Sequence, residues 1–376
     1  MWRRLVTLMR FEGPGAKPSP LEPRPRPDTS PLAETAFDPN PGNLRMFQYL
    51  PAGLKPGAPL VVILHGCGQT AAGYDLGAGW CQLADQLGFA VLAPEQKAVN
   101  NPHTCFDWFN PEDIVRDGGE CASIAIMVRG MVEAHGLDAN RVFITGLSAG
   151  GAMTSVMLAT YPELFAGGAI IAGLPFGAAQ NVRDALESMR SAPLRTPAQW
   201  GASVRAASDH KGRWPRISIW HGALDTTVNI NNAQASLAQW ADLHGLSLAG
   251  GRQEFVDGAI RLGWGDTLEV YTLAALGHGT PIDSGDLGEP GPFILEAGIS
   301  STRRIAEFWG LAPVAASKPA HKTEPRPAPA RVSPKTVLPH VEHVLGHKIP
   351  RPAKETAKNL ESVIRRALRA AGLLKR

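Results

Sequence analysis

The residues best suited to chemistry in this 376-residue chain lie in the run Val142-Phe143-Ile144-Thr145-Gly146-Leu147-Ser148-Ala149-Gly150-Gly151. Four residues suited to a buried strand lead into Gly-x-Ser-x-Gly. A helix-compatible run, Ala152 to Thr160, follows until Tyr161-Pro162 stops it. A serine in that setting sits on a turn so tight that the flanking positions must lack side chains. Its hydroxyl is expected at a helix N-terminus, where free amides and the helix dipole favour the negative charge that develops when serine attacks a carbonyl.

A serine hydroxyl is a weak nucleophile at neutral pH unless a base removes its proton. The expected base is His278, in Gly277-His278-Gly279, and the expected orienting acid is Asp225, in His221-Gly222-Ala223-Leu224-Asp225-Thr226-Thr227-Val228. Histidine is the side chain that titrates in the useful range, and the two glycines let its loop turn the ring toward Ser148. Asp225 would fix the histidine tautomer and stabilise the imidazolium. The competing reading of Asp225 is a turn or helix-capping residue. His65 and His221 also end strands, but both head His-Gly turns and read as shaping the backbone. His210, and His321, His340, His343 and His347 near the C-terminus, read as solvated.

These groups need a scaffold that brings distant segments together. Continuous apolar runs of strand length recur: Pro59 to Leu64, Phe89 to Ala93 closed by Pro94, Val142 to Thr145, Gly168 to Ala172 and Ile217 to Trp220. Met46 to Leu50 and Leu268 to Leu273 also read as strands. Helices are expected from Trp80 to Leu87, Gly119 to His135, Asn231 to His244 and Ser300 to Trp309. The segment from Asn100 to Asp113 is loop-like, and Phe176 to Trp214 reads as a helical insertion over the site. Alternating strands and helices predict an α/β chain with a mostly parallel, doubly wound sheet flanked by helices. Ser148, Asp225 and His278 each fall just after a strand, at the sheet end where such folds bind ligands, and their chain order is that of the α/β-hydrolase fold. In that fold the amide after the nucleophile, Ala149, pairs with one from the loop after an early strand. The Cys67 amide in His65-Gly66-Cys67-Gly68-Gln69 is the expected partner, with Gln69 beside it.

Length and composition allow one large domain with tails, and no apolar run reaches the length of a membrane span. Residues 1–40, rich in proline and charge, read as a flexible leader, and residues 41–311 as the catalytic domain. The basic start is followed by a short apolar run, Leu5 to Met9, so no signal peptide is expected. Net charge is +3 but unevenly placed. From Pro313 to Arg376 there are 14 Lys and Arg against 4 Asp and Glu, a balance of +10, which leaves −7 on the rest. Residues 312–355 read as a Pro/Ala/Lys-rich linker. Residues 356–376 read as a basic amphipathic helix, with Leu360, Val363, Ile364, Ala367, Leu368 and Ala371 on one stripe. Packing on the body and contact with an anionic lipid or polymer-granule surface are the readings this stripe supports; nucleic acid is not an expected partner. The four cysteines, Cys67, Cys81, Cys105 and Cys121, lack metal-ligand spacing and neither demand nor exclude a bridge.

The combination of His65-Gly66-Cys67-Gly68-Gln69, Pro94-Glu95-Gln96, Asn101-Pro102 with Cys105-Phe106-Asp107-Trp108-Phe109, Gly146 to Met153, Tyr161-Pro162 and Gly277-His278-Gly279-Thr280-Pro281 resembles the polyhydroxybutyrate depolymerase-type esterases. These are similar in turn to feruloyl and acetylxylan esterases. The resemblance spans about Leu44 to Leu311. It implies a triad of Ser148, Asp225 and His278, hydrolysis of carboxylic esters without metal or cofactor, and a pairing of Cys67 with Cys105. The implied substrate is short-chain-length polyhydroxyalkanoate, its oligomers or related esters, with Trp108 expected to line an acyl or polymer groove and Trp220 and Trp264 behind it. Trp220 lies within a strand and reads equally well as core. The polymer degraders of this family are typically secreted and carry a separate substrate-binding module, and this chain shows neither signal. Two rivals use the same residues: a peptidase or other acyl hydrolase of the same fold, and a granule- or surface-binding protein with a relict site.

Overall fold

The computed structural model describes residues 29–313. The expectations for a linker and for a C-terminal amphipathic helix fall outside that range. Twelve strands and eight helices follow in order among the described residues. The first half holds β1 (Ala33–Thr35), β2 (Arg45–Tyr49), β3 (Leu60–Leu64), α1 (Ala71–Ala78), α2 (Trp80–Leu87), β4 (Ala90–Glu95), α3 (Gly119–His135), β5 (Val142–Leu147), α4 (Ala149–Thr160) and β6 (Gly167–Ile171). The second half holds α5 (Val182–Arg190), α6 (Pro197–Arg205), β7 (Arg216–Gly222), α7 (Asn231–Leu243), β8 (Arg252–Val256), β9 (Ala259–Trp264), β10 (Leu268–Leu273), β11 (Thr280–Ile282), β12 (Ile294–Glu296) and α8 (Ser301–Phe308).

The first ten strands in sheet order, β1-β2-β4-β3-β5-β6-β7-β10-β9-β8, make one sheet. Its middle, β4 to β10, is parallel, and its edges are antiparallel. The apolar runs explain this middle. Every residue of β3, β5 and β6 is buried, as expected of strands covered on both faces. Successive side chains of a strand point to opposite faces. Leu60, Val62 and Leu64 accordingly join one core with Ile144, α3, α4 and α7, while Val61 and Ile63 join a second with α1, α2 and α8. The second core is closed by stacked rings, with Trp309 against both Phe143 and Trp80.

Several elements differ from the sequence reading, among them α1, β11 and β12, which it did not name. The leader does not extend to residue 40: β1 pairs antiparallel with β2, and Ser30 Oγ donates to Asp75 at 2.7 Å. A three-residue Ala-Glu-Thr strand has no apolar pattern to announce it. β4 runs through Pro94 to Glu95, because beyond Leu92 only the β2 side of the strand is paired. A hairpin, β8 and β9, was missed; it turns at Asp257-Gly258, both in the left-handed region, the chemistry that two-residue hairpins favour.

The strand order reverses at β3. The chain passes from β3 out to β4 and then returns to β5 on the other side. Crevices at the carboxyl ends of strands flanking such a reversal are where open α/β sheets hold ligands. The loop after β3 begins with His65, and the turn after β5 is Ser148. The insertion between β6 and β7 holds α5 and α6. It is tied to α7 by Gln239, whose side chain bonds the Phe176 amide and the Phe176 and Trp200 carbonyls at 3.0–3.2 Å.

Candidate active site

Ser148 is the N-cap of α4 and has φ 57° and ψ −114°, a strained conformation for a residue with a side chain. The glycines around it follow from contact. A Cβ on Gly150 would lie 2.2 Å from the Leu64 carbonyl oxygen, and one on Gly146 would lie 2.4 Å from Gly150. The elbow is thus pressed against the end of β3, and only bare backbone fits. The Ser148 amide donates to Ile171 O at 2.9 Å, which fixes the turn to β6.

The structure brings together all three residues singled out for proton transfer, although 130 positions separate two of them. Ser148 Oγ lies 2.9 Å from His278 Nε2, and His278 Nδ1 lies 2.7 Å from Asp225 Oδ2. Asp225 follows β7. Its Oδ1 accepts from the amides of Thr227 and Val228, both at 2.8 Å. The turn reading of Asp225 therefore describes one of its oxygens and the histidine contact the other. Burial would raise the pKa of this carboxyl. The bonds from His221 and His278 outweigh burial and hold it well below the usual carboxylate range.

His278 is placed by β10 and by the strand pair β11–β12. Of its two glycine neighbours, only Gly279 is demanded by contact, since a Cβ there would lie 2.6 Å from Phe293 O. Open space surrounds the corresponding point at Gly277. The Thr280 amide donates to that same Phe293 carbonyl at 2.8 Å.

Ala149 and Cys67, the two expected oxyanion donors, follow the neighbouring strands β5 and β3. Among the described residues neither amide donates to another protein group. The Cys67 loop is held from several sides. Cys67 is disulfide-bonded to Cys105, as the resemblance implied, and the Gly68 amide donates to His103 O at 2.8 Å. Gln69 folds back so that Oε1 accepts from the Gly66 amide at 2.9 Å, while Nε2 donates to Pro292 O at 3.0 Å. His65 is buried, and burial pushes its pKa down. Its Nε2 accepts from the Gln96 amide at 3.1 Å, so a neutral imidazole pins the loop to the end of β4.

The expected tryptophans sit deeper. Trp108 is 7 % exposed and packs in the first core, edge-on to Phe109. Trp220 is fully buried and stacked on Tyr271 at 3.8 Å, and Trp264 donates to Ser247 O. Two residues near the site escaped the sequence reading. His221, taken as a backbone shaper, also places Nε2 3.3 Å from Asp225 Oδ2. Phe293 is 44 % exposed, with its ring edge-on to His278 at 5.8 Å. The four-residue spacing from Asp225 was a usable signal for His221; nothing in Gly291-Pro292-Phe293 announces the ring.

One group of carboxylates, Asp107, Asp113 and Glu120, has the proximity a metal ion needs. Protein donors already occupy its oxygens: Asn101 on Asp107, Asn110 on Asp113, and Gln96 with the Asp107 amide on Glu120. A hydroxyl at an imidazole that a carboxylate orients can carry out acyl transfer without such an ion.

Comparison with known proteins finds one family and several esterases. The family described as Esterase PHB depolymerase matches residues 44–259. Poly(3-hydroxyalkanoate) depolymerase C of Paucimonas lemoignei is 42 % identical over 285 residues, 73 % of this chain and 69 % of that protein. Acetylxylan esterase of Coprinopsis cinerea is 34 % identical over 258 residues, 65 % of this chain and 68 % of that protein. Among solved structures, acetyl xylan esterase from Aspergillus awamori superposes with a TM-score of 0.65 at 28 % identity, covering 75 % of this chain and 99 % of that one. With an α/β-hydrolase sheet and relatives of this kind, the chain belongs to the PHB depolymerase family of esterases and is a carboxylic ester hydrolase.

Proposed function

We propose that the chain cleaves esters through an acyl-enzyme on Ser148, with His278 as the proton carrier and Asp225 as its orienting partner. The observation that carries this reading is the unbroken line from Ser148 Oγ through both ring nitrogens to Asp225 Oδ2, at 2.9 and 2.7 Å. As Ser148 Oγ bonds to the ester carbonyl carbon, its proton passes to His278 Nε2. The carbonyl oxygen becomes an oxyanion and takes hydrogen bonds from the Ala149 and Cys67 amides, each worth about 3 kcal/mol in the transition state. His278 then gives its proton to the alkoxy oxygen, the C–O bond breaks, and the alcohol leaves. Water repeats the sequence: it loses a proton to Nε2, attacks the acyl carbon, and Ser148 recovers its proton as the acid departs.

The proposed substrates are short-chain-length polyhydroxyalkanoate, its oligomers or related hydroxyalkanoate esters, on the strength of the 42 % identity to a poly(3-hydroxyalkanoate) depolymerase. An acetyl- or feruloyl-type ester is the second reading, favoured by the acetyl xylan esterase superposition. Purified protein assayed on polyhydroxybutyrate, its oligomers, acetylated xylan, hydroxycinnamoyl esters and a peptide, with Ser148→Ala as the blank, separates them. Turnover of oligomers above the other esters supports the first reading, and turnover surviving in Ser148→Ala removes the mechanism. Contact of residues 356–376 with a granule or anionic lipid remains a sequence-based proposal. A chain ending at Leu311 that bound granules as well as the full chain would remove it.

A further inference from the structure

Phe293 stands beside the His278 imidazole. Two hydrogen bonds place it. Pro292 O accepts from Gln69 Nε2 at 3.0 Å, tying the segment to the loop that carries the Cys67 amide. Phe293 O accepts from the Thr280 amide at 2.8 Å, tying it to the loop that carries His278. The residue between these anchors has φ 62°, in the left-handed region that bulky side chains rarely occupy. The residue is 44 % exposed, yet its ring meets the His278 ring edge-on at 5.8 Å. An aromatic ring held in a strained backbone and left partly in water is poorly explained by packing; strain of this kind gathers at ligand clamps.

We infer that Phe293 is a specificity-determining residue: its ring forms an apolar wall for the alcohol side of the ester, favouring substrates whose leaving group is apolar and bulky over small or hydrated ones. This deepens the reading above and rests on it. His278 must protonate the alkoxy oxygen, so whatever carbon chain that oxygen bears lies beside the imidazole, and Phe293 is the exposed ring that meets that imidazole. The acyl carbon is bonded to Ser148 instead. In a polyester, the alcohol side is the part of the chain that runs to the carboxyl end, so the ring meets the next repeating unit in that direction rather than the one being acylated.

The test uses the full chain and two ester series. One varies the alcohol of acetate esters from methyl through butyl to benzyl; the other varies the acyl chain of p-nitrophenyl esters from acetate to hexanoate. Phe293→Gly and Phe293→Asn remove the ring while accepting φ 62°, and Phe293→Tyr keeps it. We expect the benzyl-to-methyl ratio of kcat/KM to fall about tenfold in the first two variants, chiefly through KM, and to be held by Phe293→Tyr. Tenfold is the scale on which one apolar contact discriminates. The acyl-series ratio should change less than twofold. An unchanged alcohol ratio, or equal changes in both series, would overturn the assignment and leave only a backbone anchor. Ratios cancel any loss of folded protein. Turnover that persists in Ser148→Ala would instead strike at the underlying mechanism, whatever Phe293 does.

Discussion

Replacing Asp225 by asparagine changes one group, and the structure dictates which way the new amide must face. Oδ1 accepts from the amides of Thr227 and Val228, so the asparagine oxygen has to stay there. Its NH2 is thereby forced into the place of Oδ2, pointing at His278 Nδ1 and His221 Nε2. The NH2 donates to Nδ1, the imidazole moves its proton to Nε2, and a protonated Nε2 cannot accept the Ser148 proton. Returning to the productive tautomer sets two donors face to face in a buried site, at about 3 kcal/mol. The charge-assisted bond to the imidazolium, worth about 2 kcal/mol, is lost as well. Their sum, about 5 kcal/mol, is a loss of between 10³- and 10⁴-fold in kcat at 1.36 kcal/mol per decade. His221 keeps its bond to Val228 O at 2.8 Å, but the same protonated Nε2 then faces the new NH2, so the fold should lose about 3 kcal/mol. Initial rates on p-nitrophenyl butyrate, with a thermal melt to show folded protein, read both numbers. A folded Asp225→Asn with kcat within tenfold of the parent would refute the account of the tautomer.

Other substitutions test the surroundings. Loss of the Cys67–Cys105 bridge, which spans 38 positions, should lower unfolding free energy by about 4 kcal/mol in urea titrations. It should also lower kcat/KM by loosening the Cys67 amide, and an unchanged denaturation midpoint in Cys105→Ser contradicts this. Gly150→Ala drives a methyl to 2.2 Å from Leu64 O and should cost about 3 kcal/mol or more along with activity; a variant that melts and turns over like the parent contradicts the packed elbow. Burial first, then Asp107 and Asp113, raise the Glu120 pKa well above 4.5. The folded state holds that proton more tightly than the unfolded chain, so its contribution to stability is complete below about pH 4.5 and is lost as pH rises through the raised value. Glu120→Gln should therefore show a flatter melting temperature between pH 5 and 8 than the parent, and equal slopes would contradict the assignment.

The long apolar strands made the centre of the fold legible. A run such as Leu60 to Leu64 permits only a strand covered on both faces; Ser148 follows one directly, and Asp225 and His278 come a short loop after β7 and β10. What escaped reading lacks that signature. β1 is three residues without an apolar pattern, and β8, with its largely exposed side chains, relies on pairing rather than burial. Asp257-Gly258 did carry a hairpin signal, which the surrounding polar residues obscured. At the site, backbone contacts were the hidden part. No pattern in the sequence says that Gln69 would reach Pro292, 223 positions away, or that Phe293 would stand beside His278. Trp108, the loop aromatic expected at a groove, lies 7 % exposed against the first core.

The central claim is a covalent ester on one hydroxyl. Rapid-quench mass spectrometry of the full chain mixed with p-nitrophenyl butyrate reads it directly. A butyryl adduct should form within the first turnover, map by proteolysis to the peptide containing Ser148, and be absent from Ser148→Ala. Steady release of p-nitrophenol with no adduct, or an adduct on any other residue, would contradict it.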